Sequence, residues 1–294
     1  MELRCEGCAG CCVDWRAIDP DAAGAGDRTG RRPAVDDTYG LVPLTRDGIA
    51  RFLDRGLGDV LVPRLFEPAD GDDRVRVDGT ELAAIRGRPA FVVGLRKPPK
   101  PVAPVGTDSL RWLDACVFLD PTTLQCRIHG DAEYPRSCSV YPAHNLTLGA
   151  ETECERVETA GGGERLLDRS VPEETPPPPF GPQALGATVF AYPDPDELDG
   201  VVERLRSESP VAEDVARFVG AAVGSRPGSV AVDRERMADA EARVLAADSW
   251  AGGAVDAWTK LSGEEGTSVL LDEPHADLVR RLEDDAGAPE TPGW

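Results

Sequence analysis

Eight cysteines punctuate the chain, and four of them stand in its first twelve residues: Cys5, Cys8, Cys11 and Cys12, in the pattern CxxCxxCC. The other four are Cys116, Cys126, Cys138 and Cys154. Thiolates are soft, charged ligands that suit zinc, iron and copper(I). Two-residue spacing on a turn containing Gly7 and Gly10 lets such groups converge on one ion. A cluster this dense is hard to explain as buried-thiol packing. The residues therefore point to a metal ion as the partner, held by all eight cysteines, with zinc, iron or an iron–sulfur cluster as the cofactor.

The ligand count leaves several arrangements open. Eight cysteines match two four-coordinate zinc sites, one iron–sulfur cluster with spare thiols, or one site with outlying thiols hydrogen-bonded to it. A ferredoxin run continues with a fourth cysteine three residues on and a proline after it. Here Cys12 follows Cys11 at once and Val13 comes next, which disfavours that class. Neighbouring side chains diverge, so Cys11 and Cys12 suggest two metals close together, or one ligand beside one supporting thiol. The function read from this is metal binding of structural or redox character. Two alternatives are a metal-dependent hydrolase or transferase with a water-filled coordination position, and a metal carrier or scaffold. Ligand saturation separates the first two, because four cysteines on each ion leave no open position.

Other residues flank the cysteines. His129 stands three residues past Cys126, placing it as a surface residue, a ligand, or a hydrogen-bond partner of a sulfur. His144 is a weaker candidate, and His275 is expected on the surface. Asp14, Asp114 and Asp120 are positioned to serve as bases toward a metal-bound water, although such neighbours arise by chance in an acidic chain. Trp15 and Trp112 read as apolar cover, and Arg4, Arg127 and Arg136 as charges offsetting thiolates.

These residues resemble the YkgJ-like cysteine-cluster family of zinc- or iron-chelating CxxCxxCC proteins. The resemblance rests on Cys5 to Cys12, on the segment Val42 to Leu53, and on the order Cys116-Val117-Phe118-Leu119, Cys126-Arg127-Ile128-His129, Cys138 and Tyr141-Pro142. It covers residues 1 to about 156 and implies a metal-binding domain with no assigned activity. Two departures stand out: Tyr134-Pro135 replaces the family's Arg-Pro, and His129 sits where an aromatic is common. A related methylase type carries a similar module, but no glycine-rich loop for S-adenosylmethionine follows a strand here.

The elements that must position the cysteines are an α+β set. The fold class expected is a small, irregular N-terminal domain organised by cysteine–metal ligation, followed by a mainly helical C-terminal region. Residues 1–160 form the cysteine-cluster domain, 161–182 a Pro/Gly-rich linker, and 183–294 the helical region. Residues 19–38 read as a polar loop, and Tyr39 to Val42 as a short strand. Thr45 caps a helix whose Ile49, Phe52, Leu53 and Leu57 fall at helical spacing. Strands are expected at Arg74 to Val77, Leu82 to Ile85 and Phe91 to Leu95. Prolines make 97–106 a stiff connector, and Cys116 and Cys126 lie on the arms of a small hairpin. Helices are expected over Asp196 to Arg206, Val211 to Val223, Asp233 to Ala247 and His275 to Asp285. About a hundred residues separate the two cysteine groups, so their meeting closes a long loop.

The net charge is -21, from 53 Asp and Glu against 32 Lys and Arg. Only Lys97, Lys100 and Lys260 are lysines. Dense carboxylates with arginine suit a salt-rich cytoplasm, where hydration and screening hold the surface open. Nucleic acid is disfavoured as a partner, since phosphate binding needs a basic patch. Apolar runs are too short to span a membrane, and the N-terminus lacks a leader's apolar core. The protein is expected in the cytoplasm, with its thiols reduced.

Overall fold

The computed structural model describes residues 5, 7–18, 33–37, 39–103, 110–161, 170–265 and 281–292. Helix α1 (Arg46–Asp54) starts as its sequence predicts: the Thr45 hydroxyl accepts the Gly48 amide at 3.0 Å. The helix buries Ile49, Phe52 and Leu53 on one face. Beside it lies an antiparallel sheet built from β1 (Leu61–Leu65), β2 (Arg74–Val77), β3 (Thr80–Ile85) and β4 (Arg88–Leu95) in the order β1-β4-β3-β2. A short β7 (Phe190–Ala191), from far down the chain, also pairs with β4. Strand β4 is buried along nearly its whole length, which explains its continuous apolar run Phe91-Val92-Val93.

A separate two-stranded sheet joins β5 (Pro99–Val102) to β6 (Arg111–Asp114). Its β5 occupies part of the segment expected to be a stiff connector. Pro99 and Pro101 are two residues apart, so their missing amides fall on the same side of the strand. A two-stranded sheet leaves one side of each strand unpaired, and there a proline is tolerated.

Toward the C-terminus the chain is helical: α5 (Val201–Arg206), α6 (Ala212–Gly224), α7 (Arg234–Leu245) and α8 (Trp250–Glu265). Asp233 caps α7 by accepting the amides of Glu235 and Arg236. Helices α6 and α7 approach closely because Gly220 and Gly224 lack side chains. A Cβ on Gly220 would sit 2.7 Å from the Met237 carbonyl oxygen, and one on Gly224 2.7 Å from that of Asp233.

The main core runs continuously from Leu44 to Val255 and unites α1, the sheet, α6 and α7. Phe91 anchors it, with its ring 5.5 Å from Phe190 and 5.0 Å from Phe218. This corrects the expected fold class. The chain is α+β, with strands mostly in the first half and helices later, but an irregular N-terminal domain organised by cysteines is not what the first half forms. Apolar strands paired in register supply its framework, and Cys8 lies in a smaller cluster with Ala9, Val13, Trp15, Leu113, Ala115 and Val157. The expected polar loop over 19–38 and the helix from His275 lie largely outside the described residues. So do residues 162–169 of the expected linker.

Candidate functional site

Three stretches of chain carry the thiols to one region. The head folds as successive tight turns: the Cys8 amide donates to Cys5 O at 3.0 Å, and Cys12 to Ala9 O at 2.9 Å. Ala9 adopts φ +53°. Gly10 is required sterically, since a Cβ there would meet Val157 at 2.6 Å and the Cys8 sulfur at 3.3 Å. Val157 belongs to α4 (Glu153–Gly161), which carries Cys154, so this contact seats the head on that helix. Trp15, 1 % exposed, lies beneath and donates its indole N–H to Gly10 O at 2.7 Å.

The second block meets the head edge-on. The Cys116 amide donates to Cys12 O at 2.8 Å, and Val13 bridges Ala115. Cys126 bridges Leu119. The expected hairpin is a short one closed by this bridge, with the Arg127 amide donating to Phe118 O at 2.9 Å and the Asp120 amide to Gln125 O at 2.8 Å, while the outward Val117 and Leu119 carbonyls accept from the Lys100 ammonium, each at 2.7 Å. Cys138 lies on α2 (Arg136–Ser139). After it comes α3 (Ala143–Thr147), and the Tyr141 hydroxyl accepts the Glu153 amide, tying this stretch to α4.

Cys11 is exposed, Cys8 is buried, and Cys5, Cys12, Cys116, Cys126, Cys138 and Cys154 are half-buried. The Cys11 and Cys12 sulfurs lie 3.8 Å apart, in hydrogen-bond contact. That contact splits their acidities. It lowers the Cys11 pKa against the opposing effect of desolvation, with help from the Lys97 charge. The same bond, followed by desolvation and the charge of Cys11, holds Cys12 well above the ordinary thiol range. The others are raised chiefly by desolvation: Cys5 to about 11, Cys126 and Cys154 to about 12. Desolvation and the charges of Cys116, Cys11 and Cys126 raise Cys138. All three stretches thus share one electrostatic neighbourhood.

Sharing a neighbourhood is not the same as chelating. A metal ion needs its ligands convergent on one point, about 2.3 Å from each sulfur for zinc. Among the described residues, no group of three or more His, Cys, Asp or Glu side chains is gathered so as to hold a metal ion. The expectation that the eight cysteines chelate zinc or iron is corrected on this ground, and with it the metal-dependent enzyme and the metal carrier. The head is seated by apolar packing and backbone hydrogen bonds, with the Cys11 and Cys12 sulfurs in contact.

The flanking residues find other work. The His129 amide donates to Cys126 O, and its ring stacks edge-on against Tyr134 at 5.0 Å. A ring nitrogen of His144 lies 2.8 Å from Pro176 O. Asp14 pairs with Arg16 at 2.6 Å. Asp120 accepts the Thr122 amide at 2.8 Å and the Thr291 hydroxyl at 2.7 Å. Trp112 packs edge-on against Trp258 of α8 rather than over the thiols. Arg136 is exposed at the start of α2, while Arg4 and His275 lie outside the described residues.

Two features were missed from the sequence. Behind the Cys116–Cys126 turn, Lys100 and Glu283 are both fully buried and paired at 2.6 Å. Arg127 donates to the other Glu283 oxygen at 2.8 Å, and Trp258 to the first at 3.2 Å. The C-terminal stretch is thereby fastened to the second cysteine block. The other is a cleft of about 450 Å³ lined by Tyr192, Glu197, Arg217, Arg234 and Glu241, remote from the cysteines in sequence. Charged residues so far apart in the chain gave no local signal.

The chain belongs to DUF7531, a family of unknown function, whose match spans residues 1–294. That match does not bear on the likeness to the YkgJ-like family. No curated protein and no solved structure matches the chain. Among the described residues, no helix is long and apolar enough to cross a membrane.

Proposed function

We propose that the protein performs thiol–disulfide exchange, with Cys11 as the attacking thiolate and Cys12 as the thiol that completes the exchange. The observation that carries this reading is the 3.8 Å contact between the sulfurs of Cys11, an exposed residue, and Cys12. A reactive thiol needs thiolate character and access together, and Cys11 combines them. Its lowered pKa supports the assignment.

The steps balance. The Cys11 thiolate attacks one sulfur of a disulfide, forming a mixed disulfide and expelling one thiolate. Cys12 gives up its proton to solvent and attacks the Cys11 sulfur, expelling the second thiolate. Two protein thiols are oxidised and one disulfide is reduced to two thiols. Adjacent Cα atoms are about 3.8 Å apart, below the usual span of a disulfide, about 4.4–6.8 Å. The Cys11–Cys12 bond is therefore strained and readily reduced, which suits a switch or carrier rather than a structural staple. The remaining half-buried thiols, held protonated, keep the neighbourhood from reacting indiscriminately. This chemistry fits the cytoplasm, where thiols are kept reduced.

The test is the stoichiometry of release from a chromogenic disulfide at limiting concentration. Wild type should release two thiolates for each Cys11 modified, Cys12→Ser one, and Cys11→Ser neither in the fast phase. Unchanged fast-phase release from Cys11→Ser would refute the assignment.

A further inference from the structure

Lys97 stands between β4 and β5, on backbone that runs beside the second cysteine block. Val117 donates to Arg96 O at 3.1 Å and Ala115 to Pro98 O at 3.0 Å, so residues 96–98 bracket Cys116. The Cys116 amide in turn donates to Cys12 O. The ammonium lies 5.9 Å from the centre of the Tyr39 ring, and a Cβ on Gly40 would come within 3.3 Å of it. Tyr39 is itself anchored to the cysteine-bearing α4, its hydroxyl donating to Glu153 at 3.0 Å.

A second cation shares that ring. The Arg16 guanidinium lies 5.6 Å from the Tyr39 centroid, but Asp14 at 2.6 Å and Asp37 at 2.7 Å neutralise it. Glu153 is occupied by Tyr39 and by Arg156 at 3.0 Å, and the Lys97 charge is also felt by the Asp114 carboxylate. Lys97 makes no ion pair with any described residue. In a chain with 53 acidic residues and three lysines, a half-buried lysine that makes no ion pair with a described residue, on backbone that brackets Cys116, is a specific feature. Its charge reaches the sulfurs of Cys11, Cys116 and Cys138.

We infer that the site prefers small disulfides bearing negative charge, and that Lys97 confers this preference by attracting the anionic group as the disulfide approaches Cys11. This rests on the thiol-exchange reading and adds a substrate class to it. Without Lys97 the overall charge of -21 would repel such a reactant. With it, a local positive charge stands over the Tyr39 ring near the cysteines, which also suits a disulfide with a flat, carboxylated substituent.

The experiment compares two disulfides on the reduced full-length protein. Dithiobis(nitrobenzoate) carries two carboxylates, and dithiodipyridine carries none. Lys97 also favours the Cys11 thiolate, which affects both reactions alike, so the ratio of the two rates isolates the selection. Lys97→Met should lower the anionic-to-neutral ratio about tenfold, the low end of electrostatic steering. Lys97→Arg should restore it, and added salt should shrink the wild-type ratio toward that of Lys97→Met. A ratio unmoved by Lys97→Met, in protein that keeps its wild-type circular dichroism, would overturn the inference while leaving thiol exchange intact. Failure of Cys11 to react with either disulfide would overturn both.

Discussion

At the residue scale, function turns on two neighbours in sequence with opposite acidities. The Cys12 hydrogen bond lowers the Cys11 pKa and raises that of Cys12. A lowered pKa enlarges the thiolate fraction at neutral pH. The alkylation rate of Cys11 should therefore reach half its maximum at a lower pH than an ordinary thiol does, and Cys12→Ala should move that midpoint upward. Peptide-resolved alkylation across pH measures both. A second residue-scale prediction concerns Glu283. Replacing it with Gln leaves the fully buried Lys100 without its counter-charge, while Arg127 keeps Asp120 at 3.5 Å. Breaking a buried pair in this way should cost about 3–5 kcal/mol, read from denaturant midpoints. Exchanging Lys100 and Glu283 together for apolar residues should recover much of the loss, because the pair's own desolvation is then also removed.

At the scale of elements, the sequence was informative where periodicity and caps agreed. Thr45 before an apolar face marked α1, and Thr45→Ala should lower stability by about 1 kcal/mol, measurable by chemical denaturation. Alternation marked β2, and a continuous apolar run marked β4. Helices α6 and α7 fall on the segments expected to be helical, Val211 to Val223 and Asp233 to Ala247. Elements with contrary local signals were missed: β1 contains Pro63, β5 contains Pro99 and Pro101, and α8 contains Gly252 and Gly253. Tertiary pairing overrode propensity in each case. The expected strand at Tyr39 to Val42 is a turn at Tyr39 and Gly40 followed by a bridge from Pro43 to Gly94. The cysteines themselves were legible as a cluster, but spacing along a chain does not fix whether sulfurs point at one centre. Lys97, from the proline-rich connector, carried no signal beyond the rarity of lysine.

For the whole molecule, the core from Leu44 to Val255 joins strands of the first half to helices of the second. Near- and far-ultraviolet dichroism should therefore lose their signals at one denaturant concentration, and two separated midpoints would favour independently folded halves. The charge of -21 adds a salt dependence. Screening of carboxylate repulsion should raise the melting temperature as salt is added, with most of the gain by about 1 M, where the screening length is about 3 Å. The acidic surface and Lys97 act at different ranges. Salt should thus stabilise the fold while weakening selection among disulfides.

The most direct measurement is to treat the fully reduced protein with a trace of a neutral disulfide and map every cysteine by mass spectrometry over time. The account predicts that the mixed disulfide forms first on Cys11 and is then replaced by a Cys11–Cys12 bond. Oxidation settling first on any of the other six cysteines, or thiols silent because a bound metal ion occupies them, would contradict it.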